Sequence, residues 1–367
     1  MVKAKKKLWL VAGIVFFLAY FFISARPIPL ETVLVPRWLL SLETEIPVYF
    51  GDSPSQRSEN RESSSLIPFE LSGRFGFFDR EGRFSVNQQR WGNVSLSAHH
   101  WAEYDAEPAS IAINSSSGET LSIIEDPRGY PFFLDGRTFL INSEQNAISE
   151  IDAGGTVRWT YEFSSLLTCV DAAAGLLLAG TLDGYTGVLD NTGRLVFSFE
   201  PGGSRYPIIV GCAISRDGSN LAIISGINPQ RFLALERYGT GEYRVVYHEF
   251  LDSDFRRPVY ISFIEHDRWV IFERKGGLGV YEIGSRQSGK VALTGELRTI
   301  DHSGGQGLVF VIISQAENTQ KLVGIRLPGR VFMKAPFKSD DMFLGRSDSQ
   351  LFVGGRQSII SFDLERR

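Results

Sequence analysis

Between Ile151 and Pro201 the chain states one short pattern twice: a hydrophobic run closing on an acidic residue, a Gly-containing turn, then an alternating strand that carries an aromatic. The first copy runs from Ile151-Asp152 to Trp159 and the second from Leu189-Asp190 to Phe197. A turn glycine tolerates positive φ, and strict alternation has the two-residue period of a half-buried strand, so each copy reads as a β-hairpin. The two aspartates stand 38 positions apart with two further short apolar runs between them, which gives each repeat about four strands. Such a unit cannot bury both of its faces alone. It needs neighbours of the same kind.

The neighbours are present. Turn-anchoring positions recur at Asp79, Asn114, Asp152, Asp190, Glu236, Glu282, Arg326 and Asp363, with spacings of 35, 38, 38, 46, 46, 44 and 37. Between Ile208 and Phe250 a whole unit can be read: strands at Ile208 to Ser215, Asn220 to Ser225, Arg231 to Glu236 and Tyr243 to Phe250. The first is continuously apolar and the last alternates, as expected of an enclosed inner strand and a solvated outer one. A ring of such units leaves no long sheet edge exposed. The fold class is therefore all-β, a β-propeller of four-stranded blades over residues 66–367. The C-terminus supplies three strands (Met342 to Gly345, Leu351 to Gly354, Ile359 to Leu364) and then ends, so the N-terminal part must supply the fourth. Eight turn positions favour eight blades; seven follows if the first hairpin only completes the last blade. Thirty-seven glycines, 27 phenylalanines and three methionines suit short strands and tight turns.

The N-terminus has a different character. Lys3, Lys5, Lys6 and Lys7 precede an uncharged run from Leu8 to Ala25, which Arg26-Pro27 closes. Eighteen helical residues rise roughly 27 Å, close to a hydrocarbon core. Residues 1–7 are read as a cytoplasmic basic segment and 8–25 as a transmembrane signal-anchor helix. Residues 26–65 are read as a juxtamembrane segment ending in a flexible Ser-rich loop. A cleaved secretory signal is the alternative, although the run is long for one and Ile23 stands where a small residue is wanted. No Cys follows the run, which excludes a lipoprotein anchor. Lysine-rich flanks stay cytoplasmic, so the expected place is the inner membrane, single pass, with the propeller on the periplasmic side. Within the juxtamembrane segment, Arg37 to Glu45 reads as a short amphipathic segment with Trp38, Leu39, Leu40 and Leu42, packed on the domain, with a membrane-surface or partner-binding helix as the alternative.

The motifs IDAGGTVRW at Ile151 to Trp159 and VLDNTGRLVF at Val188 to Phe197 resemble the aliphatic-Asp-x-x-Gly-x-x-x-aromatic blade signature of the PQQ-like and WD40-like propeller superfamily. The resemblance is best over two blades and weak over Leu66 to Arg367. It implies a propeller similar in layout to envelope propellers that assist outer-membrane protein assembly, a likeness of fold only. Quinoprotein members of that superfamily carry a vicinal Cys pair. This chain has only Cys169 and Cys212, so no quinone cofactor is expected.

Chemistry-bearing motifs are few. Cys169 and Cys212 fall at equivalent places in the first strands of consecutive units and read as buried free thiols near the central channel; the alternative is a disulfide, which the compartment would allow although adjacent inner strands of separate blades often exceed the roughly 7 Å limit between Cα atoms. Of five histidines only His99 and His100 are adjacent, and adjacent strand residues point to opposite faces, which defeats joint metal ligation. No G-x-S-x-G, Walker loop or H-E-x-x-H occurs. A formal charge of -4 gives no footprint for nucleic acid. What remains is a surface. Strands alternate in direction, so the loop before strand one and the loop between strands two and three share one end of each blade. That end carries Asp126, Arg128, Tyr130, Gln145, Asn146, Asp183, Tyr185, Arg205, Tyr206, Asn228, Gln230, Arg231, Asp254, Arg256, Arg257 and Lys275. Arg and Tyr are the residues enriched at binding hot spots, so the expected function is non-catalytic: a membrane-anchored envelope scaffold that binds a protein partner. Arginines that instead tie loops together, a small anionic ligand and a purely structural ring are the competing readings of this face. The alternative function is a lyase or hydrolase acting on envelope polysaccharide, which requires a deep polar pocket and a perturbed acid or base at the channel mouth.

Overall fold

The computed structural model describes Phe17 and residues 32–50, 66–239, 241–316 and 319–366. The chain opens with β1 (Thr32–Ser41) and β2 (Pro47–Tyr49). Blade 1 is β3 (Ile67–Leu71), β4 (Arg74–Phe78) and β5 (Phe84–Gln89), and blade 2 is β6 (Asn93–Leu96), β7 (His100–Tyr104), β8 (Ser110–Ser115) and β9 (Thr120–Glu125). Blade 3 is β10 (Gly129–Leu134), β11 (Arg137–Asn142), β12 (Ala147–Ile151) and β13 (Val157–Glu162). Blade 4 is β14 (Leu167–Ala173), β15 (Leu176–Thr181), β16 (Thr186–Leu189) and β17 (Leu195–Phe199). Blade 5 is β18 (Tyr206–Ile214), β19 (Asn220–Ile227), β20 (Gln230–Tyr238) and β21 (Glu242–Leu251). Blade 6 is β22 (Ile261–Ile264), β23 (Trp269–Arg274), β24 (Gly277–Glu282) and β25 (Gln287–Ala292). Blade 7 is β26 (Glu296–Asp301), β27 (Leu308–Ala316), β28 (Thr319–Arg326) and β29 (Arg330–Lys338). Blade 8 takes β30 (Met342–Ser347), β31 (Gln350–Gly355) and β32 (Ser358–Arg366), and borrows β1 and β2 from the N-terminus.

The fold is an eight-bladed propeller, and every strand pair within a blade is antiparallel. Among the described residues blade 1 has three strands and blade 8 has five. Each boundary between blades holds its own buried cluster. Ile214, Leu221 and Leu235 of blade 5 meet Leu178 and Val188 of blade 4, for example, while Val210 and Phe232 of blade 5 meet Val270 and Phe272 of blade 6. The same pattern carries round the ring to the last boundary, where Trp38, Phe343, Phe352 and Ile359 of blade 8 close on Ile67, Phe69 and Phe78 of blade 1. The core is thus a set of separate interfaces, as in other repeat architectures.

The recurring aspartate has a local and a long-range reason. Its Oδ1 accepts two turn amides, from Glu81 and Arg83 at Asp79 (3.0 and 2.8 Å), from Gly154 and Thr156 at Asp152 (2.8 and 2.9 Å), and from Thr192 and Arg194 at Asp190 (2.9 and 3.1 Å). The following glycine lies against the outer strand of the preceding blade. A Cβ on Gly193, whose φ is 79°, would stand 2.6 Å from the Trp159 ring, and one on Gly82, at φ 81°, would stand 3.2 Å from the Trp38 ring. The signature therefore specifies a turn and its docking on the neighbour together.

Two expectations need correction. Residues 37–45 pack on the domain, with Trp38, Leu40 and Leu42 buried, but not as a helix: Arg37, Trp38, Leu39, Leu40 and Ser41 belong to β1, which pairs along its length with β32. The physical reason is cross-strand demand, because the unpaired edge of β32 supplies backbone partners and a pocket for Trp38 that an amphipathic helix could not use. Consequently the propeller begins at Thr32, not at residue 66. The expected membrane-spanning helix at 8–25 lies outside the described residues apart from Phe17, as does the whole of the Ser-rich loop at 52–65. Among the described residues no helix is long and apolar enough to cross a membrane.

Candidate functional site

The alternation of strands puts the loops preceding each innermost strand and the loops joining second and third strands at one end, hereafter the binding end. These loops hold each other. The Leu182 amide donates to the Leu166 carbonyl at 2.8 Å, the Arg205 amide to the Asn228 carbonyl at 3.2 Å, and the Lys275 amide to Ser253 Oγ at 2.8 Å. The Asp-Gly turns lie at the opposite end.

The predicted residues divide into two groups. One group builds the loops. Gln230 is fully buried and donates to the Gly226 and Phe255 carbonyls, both at 3.2 Å. Arg231 lies over the Phe250 ring and donates to the Pro201 carbonyl at 3.0 Å and to that of Gly202. Arg257 forms a fork on the buried Glu273, at 2.6 and 2.9 Å. Asp183 accepts from the Thr181 hydroxyl, and Tyr185 packs its ring near Phe163. Arg257 thus ties the loop before β22 to Glu273 of β23. The other group is exposed: Arg128 beside Asp126 at 3.8 Å, Arg205 over the Tyr206 ring, Asp254, Arg256 and Lys275. An exposed pair at that distance is worth little, so Arg128 is effectively available.

Sequence reasoning missed the apolar component of this end. Leu166, Leu182, Tyr206 and Phe250 all expose large hydrophobic surface, between 43 and 59 % of each residue. Their signal was present only in part: Leu182 lies in the loop of Asp183 and Tyr185, Tyr206 follows Arg205 and Phe250 precedes the loop of Arg256 and Arg257, whereas the loop of Leu166 carries none of the predicted residues. Beneath the rim is a cavity of about 390 Å³ lined by Ser95, Tyr104, Tyr130, Pro131, Phe132, Ile141, Gln145, Leu167, Thr168, Cys169 and Val170. Its wall comes mainly from β6, β10 and β14, the innermost strands of blades 2, 3 and 4, completed by Tyr104 of β7, Ile141 of β11 and Gln145 in the loop after β11. Tyr130 and Gln145 are the predicted residues that reach it. Cys169, half-buried in this wall, and Cys212, buried behind it, are both free thiols, and burial followed by the neighbouring Cys169 pushes Cys212 well above its ordinary range.

Titratable groups gather elsewhere in the ring. Burial pushes Asp171 on β14 up to about 6, against the opposing pull of the Ile214 and Ala172 amides at 2.9 Å. Burial also raises Asp301 and Tyr260 and lowers His302. Asp171, Asp301 and the turn residues Asp135 and Glu265 belong to the Asp-Gly end of the inner strands, and none of these groups lines the cavity. No group of three or more His, Cys, Asp or Glu among the described residues could hold a metal ion.

A family profile described as a beta-propeller protein matches residues 1–366. The chain belongs to this β-propeller family. A relative from Treponema pallidum (strain Nichols), an uncharacterised protein, is 26% identical over 370 residues, covering 99% of this chain and 93% of its own. Among solved structures, BamB from Moraxella catarrhalis is similar with a TM-score of 0.54 at 12% identity, over 90% of this chain and all of that one. The computationally designed protein Ika8 is similar with a TM-score of 0.59 at 15% identity, over 83% and 94%. At such identities these two likenesses concern the fold alone.

Proposed function

We propose that this family member is a membrane-anchored, extracytoplasmic propeller of the PQQ-like and WD40-like type that binds a protein partner at its binding end. The observation that carries the reading is the interleaving of exposed Arg128, Arg205, Arg256 and Lys275 with exposed Leu166, Leu182, Tyr206 and Phe250 on loops braced by one another. Apolar area supplies affinity, arginine and tyrosine supply the hot spots, and pre-bracing lowers the ordering cost of association. The polysaccharide lyase or hydrolase reading is less well supported, because no Asp, Glu, His, Lys or Arg lines the cavity and the perturbed carboxyls Asp171 and Asp301 lie outside it.

Geometry favours the same arrangement. β1 begins at Thr32, which accepts from Arg326 Nη2 at 2.6 Å and pairs with Arg366, whereas Ser41 pairs with Ser358. Thr32 is therefore at the Asp-Gly end. With an anchor ending at Ala25, residues 26–31 span at most about 20 Å, which holds that end towards the inner membrane and turns the binding end away from it. The test is crosslinking in cells followed by mass spectrometry, comparing the wild-type chain with one carrying Ala at Arg128, Arg205, Arg256 and Lys275. Loss of a specific envelope protein from the crosslinked set is expected. Equal recovery of that partner from the properly folded variant would overturn the reading.

A further inference from the structure

We propose that the cavity walled by β6, β10 and β14 receives one uncharged aromatic side chain from an extended segment of the protein partner. This rests on the reading of the binding end as a protein-binding face and assigns that face its central anchor. No Asp, Glu, Lys or Arg lines the cavity, so a charged group entering it would lose hydration with no counter-charge to replace it. The rings of Tyr104 and Tyr130 stand 6.0 Å apart at 40° and form one side, with Phe132 and Leu167 also in the lining. That is a surface for offset or edge contact with another ring. At about 390 Å³ the space falls at the small end of ligand sites, enough for a single large side chain with the backbone that carries it.

Two features favour a peptide over a sugar. The rim next to the cavity is aliphatic, with Leu166 and Leu182 exposed and joined through their backbones. A pyranose would need many free hydrogen-bond partners, while the Ser95 and Thr168 hydroxyls of the lining already donate to the Pro131 carbonyl and to the Gly180 and Ile209 carbonyls, and the Tyr104 hydroxyl lies 3.5 Å from Ser95 Oγ; the Tyr130 hydroxyl and the Gln145 amide, which make no side-chain hydrogen bond among the described residues, suit the backbone of an extended segment. The exposed Arg128, two residues from Tyr130, adds charge complementarity for an acidic residue flanking the aromatic one.

The cavity contains its own reporter. Cys169 lies in the lining, whereas Cys212 is buried with its thiol raised, so N-ethylmaleimide at mildly alkaline pH should alkylate Cys169 selectively. The experiment pans a random linear peptide display library on the full chain in detergent. It then measures binding of the selected synthetic peptides to wild type, to pre-alkylated protein and to the Tyr130→Ala variant. Selected peptides should carry Trp, Tyr or Phe, slow Cys169 alkylation at least tenfold, and bind at least tenfold more weakly to alkylated and Tyr130→Ala protein. Failure to select any peptide, or selection of peptides that leave Cys169 alkylation unchanged, overturns the proposal. Peptides that ignore alkylation yet are lost on replacing Arg128, Arg205, Arg256 and Lys275 by Ala leave the face reading standing and remove only the cavity. Should Tyr130→Ala not fold, the alkylated protein decides the matter alone.

Discussion

Replacing Trp38 by Ala tests whether the N-terminal strand closes the ring energetically as well as geometrically. Trp38 is wholly buried, with its ring 6.0 Å from Phe78 edge-on and 5.8 Å from Phe352, and its indole N–H donates to the Arg80 carbonyl at 2.9 Å. A buried Trp removes roughly 150–250 Å² from water, worth about 4–6 kcal/mol at about 25 cal/mol per Å². Measured truncations of this class cost about 3–5 kcal/mol because neighbours relax into part of the space. The expectation for Trp38→Ala is therefore a loss of about 4 kcal/mol. Trp38→Phe keeps most of the area but leaves the Arg80 carbonyl without its donor, for a loss of about 1–2 kcal/mol. Equilibrium urea unfolding is the assay, and the midpoint should fall in both variants with the slope unchanged. A loss below about 1 kcal/mol for Trp38→Ala would refute the reasoning, since it would mean that the blade 8 to blade 1 boundary does not limit the stability of the ring. Equal losses in the two variants would show that the hydrogen bond, not the ring contact, carries the closure.

Two further outcomes follow from buried charge. Burial raises the Glu150 carboxyl, but Arg137, Arg158 at 2.8 Å and the Trp159 indole at 2.9 Å overcome it and hold the group below its ordinary value; Arg137→Met should cost about 3–5 kcal/mol by urea unfolding, and a loss under about 1 kcal/mol would contradict it. Asp171, at about 6 in the folded chain against 3.8 ordinarily, binds its proton more tightly when folded, so its contribution is most favourable below pH 4 and is lost as pH rises through 6. The stability of wild type relative to Asp171→Asn should therefore fall between pH 4 and 7 by about 2 kcal/mol, allowing for partial solvent access, and a flat difference across that range would refute the assignment.

The fold was legible because the signature couples two scales. Asp79, Asp152 and Asp190 are read from spacing alone, and the structure shows each closing its own turn while the glycine beside it meets the preceding blade. The missing fourth strand was also legible, since a chain that ends after Ile359 to Leu364 leaves a sheet edge unpaired. Its identity was not. VPRWLLS in β1 has apolar residues in succession, because Trp38 and Leu40 turn into the buried cluster between blades 8 and 1 while the half-buried Leu39, paired with Val48 of β2, lies on the other face, and a run apolar on both faces has no period with which to separate strand from helix. A bulge between Pro36 and Trp38 disturbs what alternation there is.

The two ends of the ring differ in legibility for a physical reason. At the Asp-Gly end the turns of the first four blades make the same kind of contact with the blade before, Gly82 with Trp38, Gly118 with Val86, Gly155 with Ile123 and Gly193 with Trp159, so one constraint acts repeatedly there and leaves a period in the sequence, whereas Gly239 and Gly284 in the corresponding turns of blades 5 and 6 meet nothing. At the binding end each loop is satisfied differently: Arg231 by the carbonyls of Pro201 and Gly202, Arg257 by Glu273, the Lys275 amide by Ser253. Loops so satisfied share residue types without sharing spacing. An arginine spent on a backbone carbonyl then looks identical in sequence to one left in solvent, which is why Arg231 and Arg257 were grouped with Arg128 and Arg205. Freed from the repeating contact, this end is also where new loop residues cost the fold least, because they can change without disturbing the turns that build it.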